Sequence, residues 1–143
     1  MAGVSRVPSN YKLLGKHELT STFLTAATHS VAQDEGLSVS ISYLASRVLR
    51  VTFTGHLWAN GGSQGISLRF VRGATTFGFF QTESLSAVTP LSCSFTKVFN
   101  GPATGATETF KVQIAALTAN TQVSSYADGN FTRQLIVEDL GPQ

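Results

Sequence analysis

The chain has 143 residues, 42% of them hydrophobic and 13% charged, with a formal net charge of +2. That hydrophobic share can fill the core of one domain, and it excludes disorder, which needs low hydrophobicity and high charge. No Lys/Arg run exceeds one residue and no apolar stretch approaches the roughly 18 residues of a membrane span, so neither nucleic-acid binding nor membrane insertion is expected.

In chain order, residues 1–16 read as an N-terminal arm. Pro8, Ser9 and Asn10 interrupt regular structure, yet Val4, Val7, Tyr11, Leu13 and Leu14 are apolar. The arm therefore lies on the domain's own core as an edge strand or docks on a neighbouring subunit, and Tyr11, Leu13 and Leu14 are candidate interface residues. Met1 to Gly15 holds no apolar core of signal-peptide length, which points to assembly in a cytoplasm.

Residues 17–143 form the expected domain. A strand is expected over Glu18–Phe23. The spacing then becomes two. Leu37, Val39, Ile41 and Tyr43 alternate with serines, and Leu49, Val51 and Phe53 alternate with Arg50, Thr52 and Thr54. Such alternation predicts half-buried strands. Asn60–Gly65 is a turn cluster, read as a hairpin loop before Ile66, Leu68 and Phe70. Arg72-Gly73 turns the chain into Ala74–Thr82. Here Phe77, Phe79 and Phe80 place aromatic groups on both faces, which suits either the core or a subunit interface. Further strands follow through Leu91–Thr96, Phe110–Ile114 and Phe131–Leu140. In the last of these Ile136 breaks the alternation and is expected to face a neighbour. About eight strands with regular turn signals, and no helical periodicity, predict an all-β, jelly-roll-like sandwich closed by a C-terminal tail after Asp139.

The chemistry-bearing residues give little sign of catalysis. Gly61-Gly62-Ser63-Gln64-Gly65 matches G-x-S-x-G, but a nucleophile elbow needs a strand before it and a helix after it. Here a strand follows, so Ser63 reads as a turn residue. His17, His29 and His56 lack metal-binding spacing, and the single Cys93 completes no zinc set and forms no internal bridge. Cys93 reads as a buried small hydrophobe. Asp34-Glu35-Gly36 reads as a turn, and Glu138-Asp139 closes the chain. Neither pair is placed as a glycosidase needs its two acids. Asn130-Phe131-Thr132 matches the glycosylation acceptor pattern but has no secretion signal beside it. No cofactor is expected, and the chain is not expected to be an enzyme. Trp58 and Tyr126 are candidate glycan contacts by their amphipathic rings.

Two stretches carry a family resemblance. Arg133-Gln134-Leu135-Ile136-Val137-Glu138-Asp139-Leu140-Gly141-Pro142 resembles the ending of small minor tail and fibre-like virion proteins of tailed bacteriophages that infect actinobacteria. Arg47-Val48-Leu49-Arg50-Val51-Thr52-Phe53, with Leu68-Arg69-Phe70-Val71-Arg72-Gly73, is similar to their middle region. The resemblance implies a jelly-roll-like β-domain without cofactor or catalytic residues, forming a homotrimer and contacting other phage virion proteins of tail or capsid. It implies a minor tail protein, with a capsid decoration protein as the alternative; a carbohydrate-binding module for host adsorption, contacting cell-surface glycan, is a second alternative, motivated by Trp58, Tyr126 and the Phe cluster. The expected location is the virion, assembled in the host bacterial cytoplasm.

Overall fold

A computed structural model describes residues 12–25, 31–60, 64–85, 90–118 and 122–143. Ten strands are present among them: β1 (Lys12–Leu19), β2 (Phe23–Leu24), β3 (Gln33–Tyr43), β4 (Arg47–Asn60), β5 (Gln64–Arg72), β6 (Thr75–Leu85), β7 (Leu91–Asn100), β8 (Ala106–Ala116), β9 (Gln122–Tyr126) and β10 (Arg133–Pro142). They build two antiparallel sheets. The first runs β1-β10-β4, with β7 on the other side of β4 and β9-β2 continuing from the far half of β4. The second runs β3-β8-β5-β6. The chain is thus all-β, a single jelly-roll-like sandwich, as the alternating pattern predicts.

Period-two side chains explain the core. In β3 the buried positions are Glu35, Leu37, Val39, Ile41 and Tyr43, with exposed residues between them. Leu49, Val51, Phe53 and Leu57 of β4 and Leu135 and Val137 of β10 face inward from the first sheet. Phe110, Val112 and Ile114 of β8 and Ile66, Leu68 and Phe70 of β5 meet them from the second. Burying each large side chain contributes roughly 1.5–3 kcal/mol. The two sheets pinch together where β1 crosses β3. A Cβ on Gly15 would stand 2.4 Å from Val39 Cγ1, so any larger residue there must push the β3 side chains aside.

Four expectations change. The boundary expected at residue 16 falls inside β1, because Lys12–Leu19 pairs continuously, apart from one bulge, with Asp139–Arg133 of β10. The turn cluster after β4 is not a hairpin loop. β4 belongs to the first sheet and β5 to the second, so residues 61–63 join two sheets and Ser63 lies outside the described residues. Asp34–Gly36 is not a turn but part of β3, with a bulge that Gly36 permits at φ 93°. Finally, the end of the chain is no free tail. Gly141 and Pro142 pair with Val48 and Arg47 of β4 after a bulge, and the Gln143 N–H donates to the Ser46 carbonyl at 2.9 Å.

Candidate functional site

The outer faces of the two sheets differ in chemistry. The second sheet presents paired hydroxyls and polar ladders. Ser40 meets Thr109 at 2.6 Å and Ser42 meets Thr107 at 2.7 Å. Asp34 accepts from Gln113 Nε2 at 2.7 Å and Lys111 Nζ at 3.0 Å, and these bonds hold its carboxyl below the usual range. This is a solvated face. Among the described residues, the strand-borne large hydrophobics that stay exposed are Leu13, Leu24, Leu91 and Val98, all of the first sheet; Leu91 pairs with inward Leu57, so Leu13, Leu24 and Val98 are the ones on the outer face. Phe131, 44% exposed, precedes β10 and neighbours His56 and Tyr126.

The registers map the first sheet's outer face. Leu24, Ser124 and Trp58 form one row across β2, β9 and β4. Tyr126, His56 and Ser92 form the next. Gln134, Thr54 and Ser94 follow, then Lys16, Ile136, Thr52 and Thr96, then Leu13, Glu138, Arg50 and Val98. Ile136 therefore points outward, half-buried, in the middle of the face. Its outward direction follows from register alone, since Leu135 and Val137 on either side are fully buried.

Other candidate residues separate. Leu13 is exposed opposite Glu138, whereas Leu14 and the rings of Phe77 and Phe80 pack against the core's edge. Phe77 lies 5.8 Å from Phe70, 4.9 Å from Phe99 and 5.7 Å from Phe110, and Phe80 lies 5.6 Å from Phe95. These rings close the side of the sandwich between edge strands β6 and β7 and remain half-exposed. Phe79 pairs in register with Arg69, but its side chain, like Tyr11, lies outside the described residues. His29 also lies outside them.

Trp58 and Tyr126 do come together, edge-on, with ring centroids 6.3 Å apart. Tyr126 and His56 both neighbour Phe131, at 6.3 and 4.6 Å. These side chains, with Pro90 and Ser92, line a cleft of about 300 Å³. Asp128 fixes two of its walls. It accepts the Tyr126 hydroxyl on one oxygen at 2.7 Å, and the backbone N–H groups of Asn130 and Phe131 on the other at 2.7 and 3.0 Å. The hydroxyl bond, first among these, holds the Asp128 carboxyl below its usual range, and it correspondingly raises the Tyr126 phenol.

Sequence reading missed the strongest electrostatic feature, the buried pair of Arg133 and Glu35. The guanidinium bonds both the Glu35 carboxylate and its carbonyl, and Nε donates to the Ser21 carbonyl at 2.7 Å. Both side chains are essentially inaccessible. Desolvation pushes the Glu35 carboxyl up to about 7, against the pull of Arg133. Its only sequence signal was an acidic residue at an inward position of an otherwise apolar alternation. The pair joins β3, β10 and the β1–β2 connection.

The stretches carrying the family resemblance prove to be partners of each other. Arg47 Nε donates to both oxygens of Asp139 at 2.9 Å, and Asp139 Oδ1 also accepts the Gly141 N–H at 2.9 Å. One residue pair along, Arg50 bonds Glu138 through two nitrogens at 2.8 and 3.0 Å. The motif thus zips β10 onto β4, and its charges serve the fold. Cys93 is half-buried, facing inward, and burial together with the nearby Glu35 charge pushes its thiol up to about 11. No cluster of metal-ligating side chains exists among the described residues.

Fold and face together define an all-β, jelly-roll-like sandwich with one polar outer face and one partly apolar outer face. No protein-family model matches the chain, and no curated protein matches it. Among solved structures it is similar to an Eiger TNF from S. frugiperda, with a TM-score of 0.52 at 12% identity, covering 92% of this chain and 96% of that one. It is also similar to a chain of infectious bursal disease virus Gx strain, with a TM-score of 0.46 at 10% identity, covering 93% of this chain and 40% of that one. At such identities the first likeness bears on fold alone.

Proposed function

We propose that the protein is a non-enzymatic structural subunit of a virion, which assembles with copies of itself through the outer face of its first sheet. The observation that carries this reading is the asymmetry between the faces. Among the described residues, Leu13, Leu24 and Val98 stay exposed at the margins of that face, Ile136 stands half-buried at its centre, and Arg50 and Glu138 neutralise each other within it. Apolar surface free of unpaired charge suits the centre of a protein interface. A face that must be covered, with half-exposed aromatic rings at the β6–β7 edge, suits contact between unlike patches of neighbouring copies. Such contacts form closed rings when the rotation closes.

The virion assignment rests on the resemblance of Arg133–Pro142 and Arg47–Phe53 to small actinophage virion proteins. Within that class the reading is a minor tail protein forming a homotrimer, with a capsid decoration protein as the alternative. Light scattering on the purified chain should give a mass three times that of the monomer, and mass spectrometry should find the chain in intact particles. Ile136→Asp, at an outward position, should leave the monomer folded and abolish association. A monomeric wild-type protein that is also absent from particles would remove the reading.

A further inference from the structure

The cleft lies on the same outer face as the proposed assembly contact, at its far end beyond the rows of Ile136 and Glu138, and its construction points to a small ligand. It is concave. Its walls are the rings of Phe131, Tyr126 and His56, and its floor reaches Ser92 on the exposed edge strand β7. About 300 Å³ lies at the small end of the range for ligand pockets.

We infer that this cleft binds a neutral sugar ring of a glycan. Among its described lining residues none carries a fixed charge and His56 is the one titratable base, with the Asp128 carboxylate behind Tyr126. Lining of this kind disfavours an ionic ligand, for which a paired charge is needed. A pyranose presents a face of polarised C–H bonds edged by hydroxyls. The C–H face packs on the electron-rich faces of aromatic rings. The hydroxyls find partners in the Ser92 hydroxyl and the His56 imidazole. Three hydrogen bonds to Asp128 lock Tyr126 and the backbone before Phe131 in place. A cleft fixed in this way loses little side-chain freedom on binding, which favours affinity for a small, rigid ligand.

Trp58 is the sole tryptophan and sits edge-on to Tyr126, so its fluorescence reports on the cleft. The full chain is titrated with the methyl glycosides of glucose, galactose, mannose, arabinose and N-acetylglucosamine, and with short neutral oligosaccharides, into the tens of millimolar. At least one should give a saturable change. Phe131→Ala should weaken it at least tenfold, and Tyr126→Phe, which frees the ring from Asp128, several-fold. Ser92→Phe fills the cleft from an exposed position, so the protein should still fold and binding should be lost. Ser40→Ala, on the other sheet, should leave binding unchanged. Silence across the whole panel overturns the proposal, as does a saturable response that survives Ser92→Phe. A null panel combined with a lower oligomeric mass for Phe131→Ala would assign the cleft to contact between copies. The titration does not depend on the assembly reading, because a monomeric protein would still show it.

Discussion

The Arg133–Glu35 pair is the point where one substitution should do most damage. Arg133→Met removes the cation and leaves the buried Glu35 carboxyl with the Ser125 hydroxyl as its remaining polar side-chain neighbour. Breaking a buried pair from one side costs about 3–5 kcal/mol. For a domain of this size that corresponds to a fall in Tm of roughly 10–20 °C, at a few degrees per kcal/mol. Glu35→Leu alone should cost a similar amount, since Arg133 then lacks its carboxylate. The double variant should recover much of the loss, because no uncompensated charge remains. A pH dependence accompanies this. The Glu35 carboxyl rises from 4.5 to about 7 on folding. The folded chain therefore holds this proton more tightly than the unfolded chain. The resulting stability is fully present below the unfolded value, and it is lost as pH rises through about 7. Two and a half pH units correspond to about 3 kcal/mol. Urea unfolding of wild type and Glu35→Gln, at steps between pH 4.5 and 8, isolates that slope from the opposite trend of carboxyls such as Asp34. If Arg133→Met costs under about 1 kcal/mol, or the double variant shows only the sum of the singles, the pair is not the clamp described.

Three further outcomes are expected. Asp139→Ala should cost about 2–3 kcal/mol by chemical denaturation, since it strips partners from Arg47 and the Gly141 N–H; Glu138→Ala, at a more open pair, should stay within about 1 kcal/mol. Gly15→Ala should lose about 1–3 kcal/mol through its clash with Val39, and Val39→Ala should offset part of that loss in the double variant. Cys93, with a thiol pushed up to about 11, should react with iodoacetamide at pH 8 far more slowly in the folded chain than in urea.

The sandwich was legible wherever one face of a strand is apolar. β3, β4, β5, β8 and β10 alternate cleanly, and Ile136 was placed outward by its break in the pattern. β9 escaped because its buried positions include Ser124 and Ser125, which read as loop residues. β1 was obscured by Gly15, whose lack of a side chain hides an inward position that close packing against β3 requires. The loop after β4 misled because turn residues mark a reversal without saying which sheet receives the next strand. Trp58 and Tyr126 were singled out by ring chemistry, but their meeting depends on the pairing of β4 with β9, residues far apart in sequence. Glu35 and Arg133 are equally distant, so no local pattern joins them.

Strand direction also gives the sandwich two unlike ends. Lys12 pairs with Asp139, and Gln143 bonds Ser46 and Gly101, so the first and last described residues lie together at one end. The aromatic cleft lies at the other. From Leu49 to Trp58 along β4 are nine residue steps, about 30 Å of extended chain. Anything joined to the protein near Lys12 or Gln143 therefore attaches at the base, and His56, Tyr126 and Phe131 stand at the tip. A subunit held by its base carries the cleft outward, and a tag or surface linkage at the base leaves the tip open to solvent.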